Sequence, residues 1–152
     1  MTRVCFFGTS DSNVRADLLG YETARSALSP YDLAEPFENS LAIDTVSLGA
    51  AISLLNDLEW YLVRVTESVF VREPSVSDTE WLSWSLAEAV RSGEVDPSDT
   101  DTYLKIYGLE SGSLVEPMYV KRREGEIPDY DLRDVSETVV LRVTPEEFSS
   151  TV

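Results

Sequence analysis

The segment FFGTSDSN, residues 6–13, is the first stretch of this chain whose residue types and spacing suit ligand binding. It ends a short apolar run. In open α/β sheets, ligands collect at the carboxyl ends of strands, and anions collect at helix N-termini. Four residues are therefore candidates for holding a phosphorylated small molecule or a nucleotide: Gly8, Thr9, Ser10 and Asp11. The segment has neither a G-x-G-x-x-G pattern nor the lysine of a P-loop, so an ordinary strand-to-helix turn capped by Asp11 or Ser12 is the alternative.

The segment YVKRREGE, residues 119–126, places three positive charges in a row in a chain of net charge −16. In a strand, Tyr119, Lys121 and Arg123 share one face, because successive side chains alternate. One interpretation is a platform for an anion, an RNA backbone or a protein partner, with Tyr119 as a stacking ring. The other is an edge strand with solvated charges, which Pro117 favours because proline is confined to sheet edges. We therefore do not expect nucleic-acid binding.

The composition excludes several kinds of catalytic and metal site. The 152-residue chain has no histidine and a single cysteine, Cys5, so Ser-His-Asp and Cys-His catalysis, histidine-ligated zinc and four-cysteine metal sites are ruled out. The segment DPSDTD, residues 96–101, offers three carboxylates to a cation but does not fit the EF-hand pattern. We expect no metal and no cofactor, and a non-catalytic role is favoured.

The chain is strongly acidic, with 28 acidic against 12 basic residues. The acids are spread along the whole sequence, which argues against a disordered acidic tail. A concentrated-salt medium accounts for the excess, since molar ions shorten the Debye length to about 3 Å and screen the repulsion. The preference for arginine over lysine fits the same explanation. Mimicry of nucleic-acid phosphates and acidity without a special role are the alternatives.

The sequence predicts neither secretion nor insertion into a membrane. The start of the chain becomes polar too early for a signal peptide. No apolar run approaches the ~20 residues that a membrane span needs. The lone cysteine cannot form an internal disulfide. We therefore expect a reduced, cytoplasmic protein without membrane association.

Apolar spacing predicts strands and helices that alternate early in the chain, followed by a run of strands. Strands are expected over 3–7, 41–47 and, as one strand or a hairpin, 61–73. Helices are expected within 15–28, from Ser47, and from a Ser77-x-x-Glu80 capping box to Gly93. Three later segments also read as strands: TYLKIYGL, VEPMYVKR and ETVVLRV, the first two joined by a turn at ESGS. This order indicates one layered domain over residues 1–152, of the α/β to α+β class, with a mixed sheet of about 5–6 strands and about three helices packed on it.

The tryptophans offer a candidate partner surface. Trp81 and Trp84 lie three residues apart on the predicted capped helix, and Trp60 follows the helix before it. Exposed together, such rings would form an apolar patch suited to a protein partner or a second copy of the chain. Burial of two of the three rings in or beside the core is the alternative.

Several segments resemble a family of uncharacterised proteins from haloarchaea. These are ETARSAL, TVSLGAAISLLNDLEWYLVR, LKIYGLESGSLVEPMYV and YDLRDV, alongside the uniform acidity and the use of arginine over lysine. The resemblance covers most of the chain and implies a salt-rich cytosol. Because that family has no assigned activity, it implies no catalytic residue.

These observations favour a small cytosolic, non-catalytic module that binds a protein partner or itself, with a regulatory role. A protein or enzyme that binds a phosphorylated small molecule at the loop after the first strand is the first alternative. A protein weakly associated with nucleic acid is the second.

Overall fold

The computed structural model describes residues 1–127 and 137–149, except for the side chain of Glu116. Within these ranges, seven strands form one sheet: β1 (Thr2–Gly8), β2 (Ser40–Thr45), β3 (Thr66–Arg72), β4 (Trp81–Ser83), β5 (Tyr103–Glu110), β6 (Ser113–Lys121) and β7 (Glu137–Arg142). Five α-helices accompany them: α1 (Val14–Gly20), α2 (Glu22–Leu28), α3 (Leu48–Val65), α4 (Trp84–Ser92) and α5 (Pro145–Ser149). A mixed α+β fold on a single sheet is confirmed, but the expected numbers of about 5–6 strands and about three helices were too low.

The strands run in the order β2-β1-β3-β4-β7-β5-β6. Neighbours are antiparallel except β4 and β7, which are parallel. β6 stands at the end of this order, as its proline predicted, and its register with β5 shifts around Pro117. A proline and an irregularity on an edge strand interrupt the row of free backbone donors and discourage pairing with another chain.

The two faces of the sheet differ in composition. Helices α1 to α4 pack on the first face, where the buried side chains are aliphatic apart from Phe6. The second face carries Cys5 and larger rings, among them Phe7, Phe70 and Tyr107. It is covered in part by Phe37, from the loop before β2, and by Phe148 of α5. The hairpin of β5 and β6 curls over this face, and its tip meets the same loop, where Glu38 N–H donates to the Gly112 carbonyl at 2.7 Å.

The helix α3 extends further than its composition predicted. Ser47 caps it as expected, its hydroxyl accepting from Ala50 N–H at 3.1 Å. The segment from residue 61 was expected to be strand because it is rich in β-branched residues, yet the helix continues to Val65. An apolar stripe at helical spacing explains this, and its buried members are Ala51, Leu55, Leu58, Leu62 and Val65.

The helix α4 begins later than predicted. Ser77 accepts a hydrogen bond from Glu80 N–H at 3.0 Å, so the expected cap forms a turn, but no helix follows it. Instead residues 81–83 pair with β3 and β7, and Ser83 caps the helix by accepting from Leu86 N–H at 3.1 Å. Gly93 ends the helix in the left-handed conformation with φ 84°, as predicted.

Candidate functional site

The side chain of Asn39 makes three hydrogen bonds to the loop after β1 and to the start of α1. Its amide nitrogen donates to the carbonyls of Thr9 and Ser12 at 3.0 and 2.9 Å, and its amide oxygen accepts from Val14 N–H at 2.9 Å. Gly8 is required by this contact, since a Cβ there would lie 2.5 Å from the Asn39 amide nitrogen. The predicted loop Gly8–Asp11 is therefore a fixed wall, and its Thr9 carbonyl is already bonded.

The N-terminus of α1 is filled by protein groups. Asn13, rather than Asp11 or Ser12, caps the helix by accepting from Ala16 N–H at 3.0 Å. The carboxylate of Asp17 accepts from Asn13 N–H at 3.2 Å and adds a negative charge. A phosphate at this helix end would meet occupied donors and an acid, so the ligand-binding potential of the loop lies on its other side.

That other side is a groove on the second face of the sheet. One cavity of about 570 Å³ is bounded by Gly8, Thr9 and Ser10 on one side and by β5 and β6 on the other. A second cavity of about 270 Å³ continues towards α5. Four residues line both cavities, so they form the middle of one groove: Glu67, Ser68, Lys105 and Tyr107. The combined size falls in the range of sites for small organic molecules.

The floor of the groove is aromatic. The rings of Phe7 and Phe70 lie 4.6 Å apart between centroids, and Phe70 and Tyr107 lie 5.7 Å apart. Phe37 packs on Phe7 at 5.3 Å. These tilted contacts give a rigid apolar surface beneath a polar middle.

Lys105 lies on this face and is partly buried, whereas Lys121, the other lysine, is exposed. Its ammonium nitrogen lies 5.0 Å from the ring centre of Tyr107 and 5.5 Å from that of Tyr119. Burial alone would lower the pKa of Lys105, but interactions with the hydroxyl groups of Tyr107 and Tyr119 outweigh it and hold the pKa above its ordinary value. No described carboxylate forms an ion pair with it. The groove therefore presents a positive charge that no carboxylate of the described residues pairs with.

The basic triplet is divided among three environments. Arg122 turns towards the first face and binds Glu80, its terminal nitrogen donating to both carboxylate oxygens at 2.8 Å. Lys121 is exposed, with its nitrogen 5.6 Å from the ring centre of Tyr103. Arg123 is exposed and its backbone pairs with that of Glu126. Tyr119 packs against Lys105 and Phe148 in the groove, so the triplet and its tyrosine form no common platform.

Glu80 is the centre of a partly buried ion cluster. Besides Arg122 it accepts from Arg142 Nε at 2.7 Å, and Arg142 Nη1 donates to the Thr100 hydroxyl at 2.9 Å. Burial would raise the pKa of Glu80, but the hydrogen bonds and charges of Arg122 and Arg142 outweigh it and lower the pKa below its ordinary value. The cluster ties the segment before β4 to β6 and β7.

Comparison with protein-family models gives one match, a family of unknown function (DUF5804), over residues 2–109. The chain belongs to this family. Comparison with curated proteins and with solved structures found no match. The part that matches the family model runs from β1 almost to the end of β5, so it includes the loop wall, Glu67, Lys105 and Tyr107, whereas Tyr119 and α5 lie beyond it.

Trp81 and Trp84 do not form the exposed apolar patch that was predicted for them. Trp81 lies on β4, not on a helix, and is 5% exposed, with the Arg72 guanidinium 4.6 Å from its ring centre. Trp84 begins α4 and packs beside the first-face core, its ring nitrogen donating to Glu88 at 3.2 Å. Trp60 is the exposed one of the three, at 54%.

Three further features bear on thiol chemistry, metal binding and membranes. Burial raises the pKa of the Cys5 thiol to about 12, so the thiol stays protonated and is a poor nucleophile. The described residues contain no group of three or more acidic or cysteine side chains placed to hold a metal ion. Among the described helices, none has both the length and the apolar character needed to cross a membrane.

Sequence reasoning missed three residues of this region: Asn39, Glu67 and Lys105. Nothing in the sequence around Asn39 shows that its side chain reaches back to the loop after β1. Lys105 carried a usable signal, since it is one of two lysines and interrupts an otherwise apolar strand, YLKIYGL, on the face of its tyrosines.

Proposed function

We propose that this protein is a non-catalytic, regulatory module that binds a small organic anion in the groove on the second face of its sheet. The observation that carries the proposal is Lys105, a half-buried cation without a carboxylate partner among the described residues, placed where the two cavities join. Leaving a charge desolvated and unpaired costs stability. A ligand carboxylate or phosphate would offset that cost on binding.

The chemistry of the groove supports binding rather than catalysis. The pKa of Lys105 is raised, so its amine stays protonated near neutral pH and serves neither as a base nor as a nucleophile. The thiol of Cys5 is buried and protonated. What remains is a fixed charge above an aromatic floor, which orients a ligand without activating it.

A thermal-shift screen in molar KCl tests the proposal. The probes are inorganic phosphate, small mono- and dicarboxylates, nucleotides and zwitterionic amino acids. At least one organic anion should raise the unfolding temperature in the wild type, and Lys105→Met should abolish that shift. Lys121→Met is the matched control, because it removes the other lysine, which is exposed, and should keep the response. A screen without any shift, or a shift that Lys105→Met leaves intact, would overturn the proposal.

Association with a second copy is a second candidate function, favoured by an exposed cluster that α3 forms with Tyr21, the residue between α1 and α2. Trp60 and Val63 are 54% and 64% exposed, and Tyr21 lies 5.9 Å from Trp60 between ring centroids. The Arg64 guanidinium stacks 3.6 Å from the Trp60 ring centre. Exposed rings of this kind gain most by stacking on a like surface that excludes water.

Sedimentation equilibrium in molar KCl tests this second candidate. The wild type should show a dimer that Trp60→Ser dissociates. Val46→Ser, at a residue 80% exposed elsewhere, is the control and should leave the dimer intact. A strictly monomeric wild type would remove this candidate and leave the groove proposal untouched.

We also propose that the surface is adapted to concentrated salt in the cytoplasm of a halophile. Among the described carboxylate side chains, only Glu73, Glu80, Asp101 and Glu147 are less than exposed, and the rest form a dispersed coat. Self-repulsion in such a coat is screened by molar salt. The urea midpoint should therefore rise steeply with KCl, and a midpoint independent of salt would contradict the adaptation.

A further inference from the structure

The middle of the groove holds charges of both signs. Glu67 lines both cavities together with Lys105. Glu67 and Lys105 do not form an ion pair with each other, and within the described ranges the Glu67 carboxylate accepts no hydrogen bond. Two opposite charges that face one cavity without neutralising each other leave room for a ligand between them.

Among the described residues, the remaining charges that line the groove are negative. Glu38 lines the larger cavity, and Glu147 lines the smaller one, where it also accepts from the Ser83 hydroxyl at 2.6 Å. A ligand with only negative charge would meet one lysine and three described carboxylates, and a ligand with only positive charge would be attracted by the carboxylates but would leave Lys105 without a partner. A dipolar ligand satisfies both sides, because its anionic group faces Lys105 and its cationic group faces Glu67.

The larger cavity also has an apolar side. Phe7, Leu114 and Pro117 line it together with Tyr107. An apolar ligand group placed there would be removed from water against aliphatic and aromatic surface, which favours binding in proportion to the area covered. The volume of about 570 Å³ holds such a group with space for hydration.

We propose that the ligand is an α-amino acid with an apolar side chain. Its carboxylate binds Lys105, its ammonium group binds Glu67, and its side chain lies against Phe7 and Leu114. This assignment rests on the proposed function, since it names the substance that the groove binds. It adds that the second charge of the ligand is recognised as well as the first.

Calorimetric titration in molar KCl tests the assignment with matched probes. L-Leucine and L-phenylalanine are compared with isocaproate and hydrocinnamate, which lack the ammonium group, and with isoamylamine and phenethylamine, which lack the carboxylate. At least one of the two amino acids should bind about tenfold or more tightly than both of its analogues, because each analogue leaves one protein charge without its charge-assisted hydrogen bond. This comparison uses the wild-type chain and does not depend on whether a variant folds.

Two variants assign the contacts. Glu67→Gln should remove the preference for the amino acid over the acid lacking an ammonium group, and Lys105→Met should abolish binding of both. Glu126→Gln, an exposed carboxylate outside the groove, is the control and should preserve the preference.

The failures of the two proposals are distinguishable. If an organic anion binds in a Lys105-dependent way but the ammonium group and Glu67 make no difference, the amino-acid assignment is overturned and the groove still binds an anion. If the amines bind as tightly as the amino acids, the role of Lys105 is overturned and both proposals fail. If neither the probes nor any organic anion binds, both proposals fail as well.

Discussion

Two regions of this molecule take positive charge out of water, and they do so in opposite ways. At Glu80, two arginines converge on one carboxylate, and Arg142 also reaches the Thr100 hydroxyl. In the groove, Lys105 rests between two tyrosine rings, and no described carboxylate pairs with it. In the first arrangement the charges are matched within the protein, although the buried Arg122 Nε has no hydrogen-bond partner among the described residues, whereas the second is open to a ligand.

The difference teaches how structural and functional charges are told apart. A partly buried ion cluster whose charges are matched within the protein joins segments distant in sequence, and removal of one partner leaves the remaining charge unpaired. A half-buried charge beside a cavity that has no partner in the protein gains its favourable electrostatic interaction when a ligand of opposite charge binds. The comparison therefore predicts large effects on stability at Glu80 and small ones at Lys105.

The largest expected effect is that of Glu80→Gln. The variant keeps the shape of the side chain but leaves Arg122 and Arg142 without a counter-charge, which should cost about 3 kcal/mol of unfolding free energy. Asp44→Asn is the control, since its ion pair with Arg3 is partly exposed, and it should cost about 0.5 kcal/mol or less. Urea denaturation at neutral pH measures both free energies of unfolding. Equal losses would show that the Glu80 cluster contributes no more to stability than a partly exposed ion pair.

The next prediction concerns Gly8. Gly8→Ala places a Cβ 2.5 Å from the Asn39 amide nitrogen, and that amide is held by three hydrogen bonds. The clash should cost about 1–3 kcal/mol. Gly20→Ala is the matched control, because its Cβ would meet nothing within 4 Å and alanine favours the helix, so it should stabilise by about 0.5 kcal/mol. Both are measured as shifts of the urea midpoint, and a neutral Gly8→Ala would mean that the groove wall is pliable.

Acid pH should erase the difference between the wild type and Glu80→Gln. The pKa of Glu80 is lower in the folded protein than in the unfolded chain. Its contribution to stability is therefore fully present above the unfolded pKa, about 4.3, and is lost as the pH falls through the lower folded pKa. Denaturation curves of both proteins from neutral pH down to about pH 3 should converge. A gap that stays constant with pH would place the effect of the substitution in packing rather than in charge.

Much of the local structure was predictable because its signals are periodic. The buried run at β1, the caps at Ser47 and Gly93, and the edge position of the strand with Pro117 all follow from spacing and from the chemistry of single residues. The end of α3 was misjudged because the β-branched residues of 61–65 were weighed by propensity, while the continuing apolar stripe decided the structure.

The charged sites were not predictable in the same way, because they are made by contacts between distant segments. Glu80 and Arg142 are 62 residues apart in the sequence. The local pattern around Glu80 is that of a capping box, which does not indicate an ion pair with a distant arginine. The groove arises where the loop after β1, the start of β3 and the curled β5–β6 hairpin meet. Strand order and curl decide that meeting, and neither can be read from spacing along one chain.

The smallest expected effect is that of Lys105→Met on the stability of the ligand-free protein. Methionine keeps the length of the aliphatic stem, and only the contacts of the ammonium group with the two tyrosines are lost, at a cost of about 0.5–1 kcal/mol. Arg142→Met, at the ion cluster, should cost about 2 kcal/mol, because it leaves Glu80 with one partner fewer and removes the donor to the Thr100 hydroxyl. Parallel urea titrations compare the two variants directly. If Lys105→Met were as damaging as Arg142→Met, Lys105 would be a structural residue like the arginines, and the groove would lose the charge on which its proposed ligand depends.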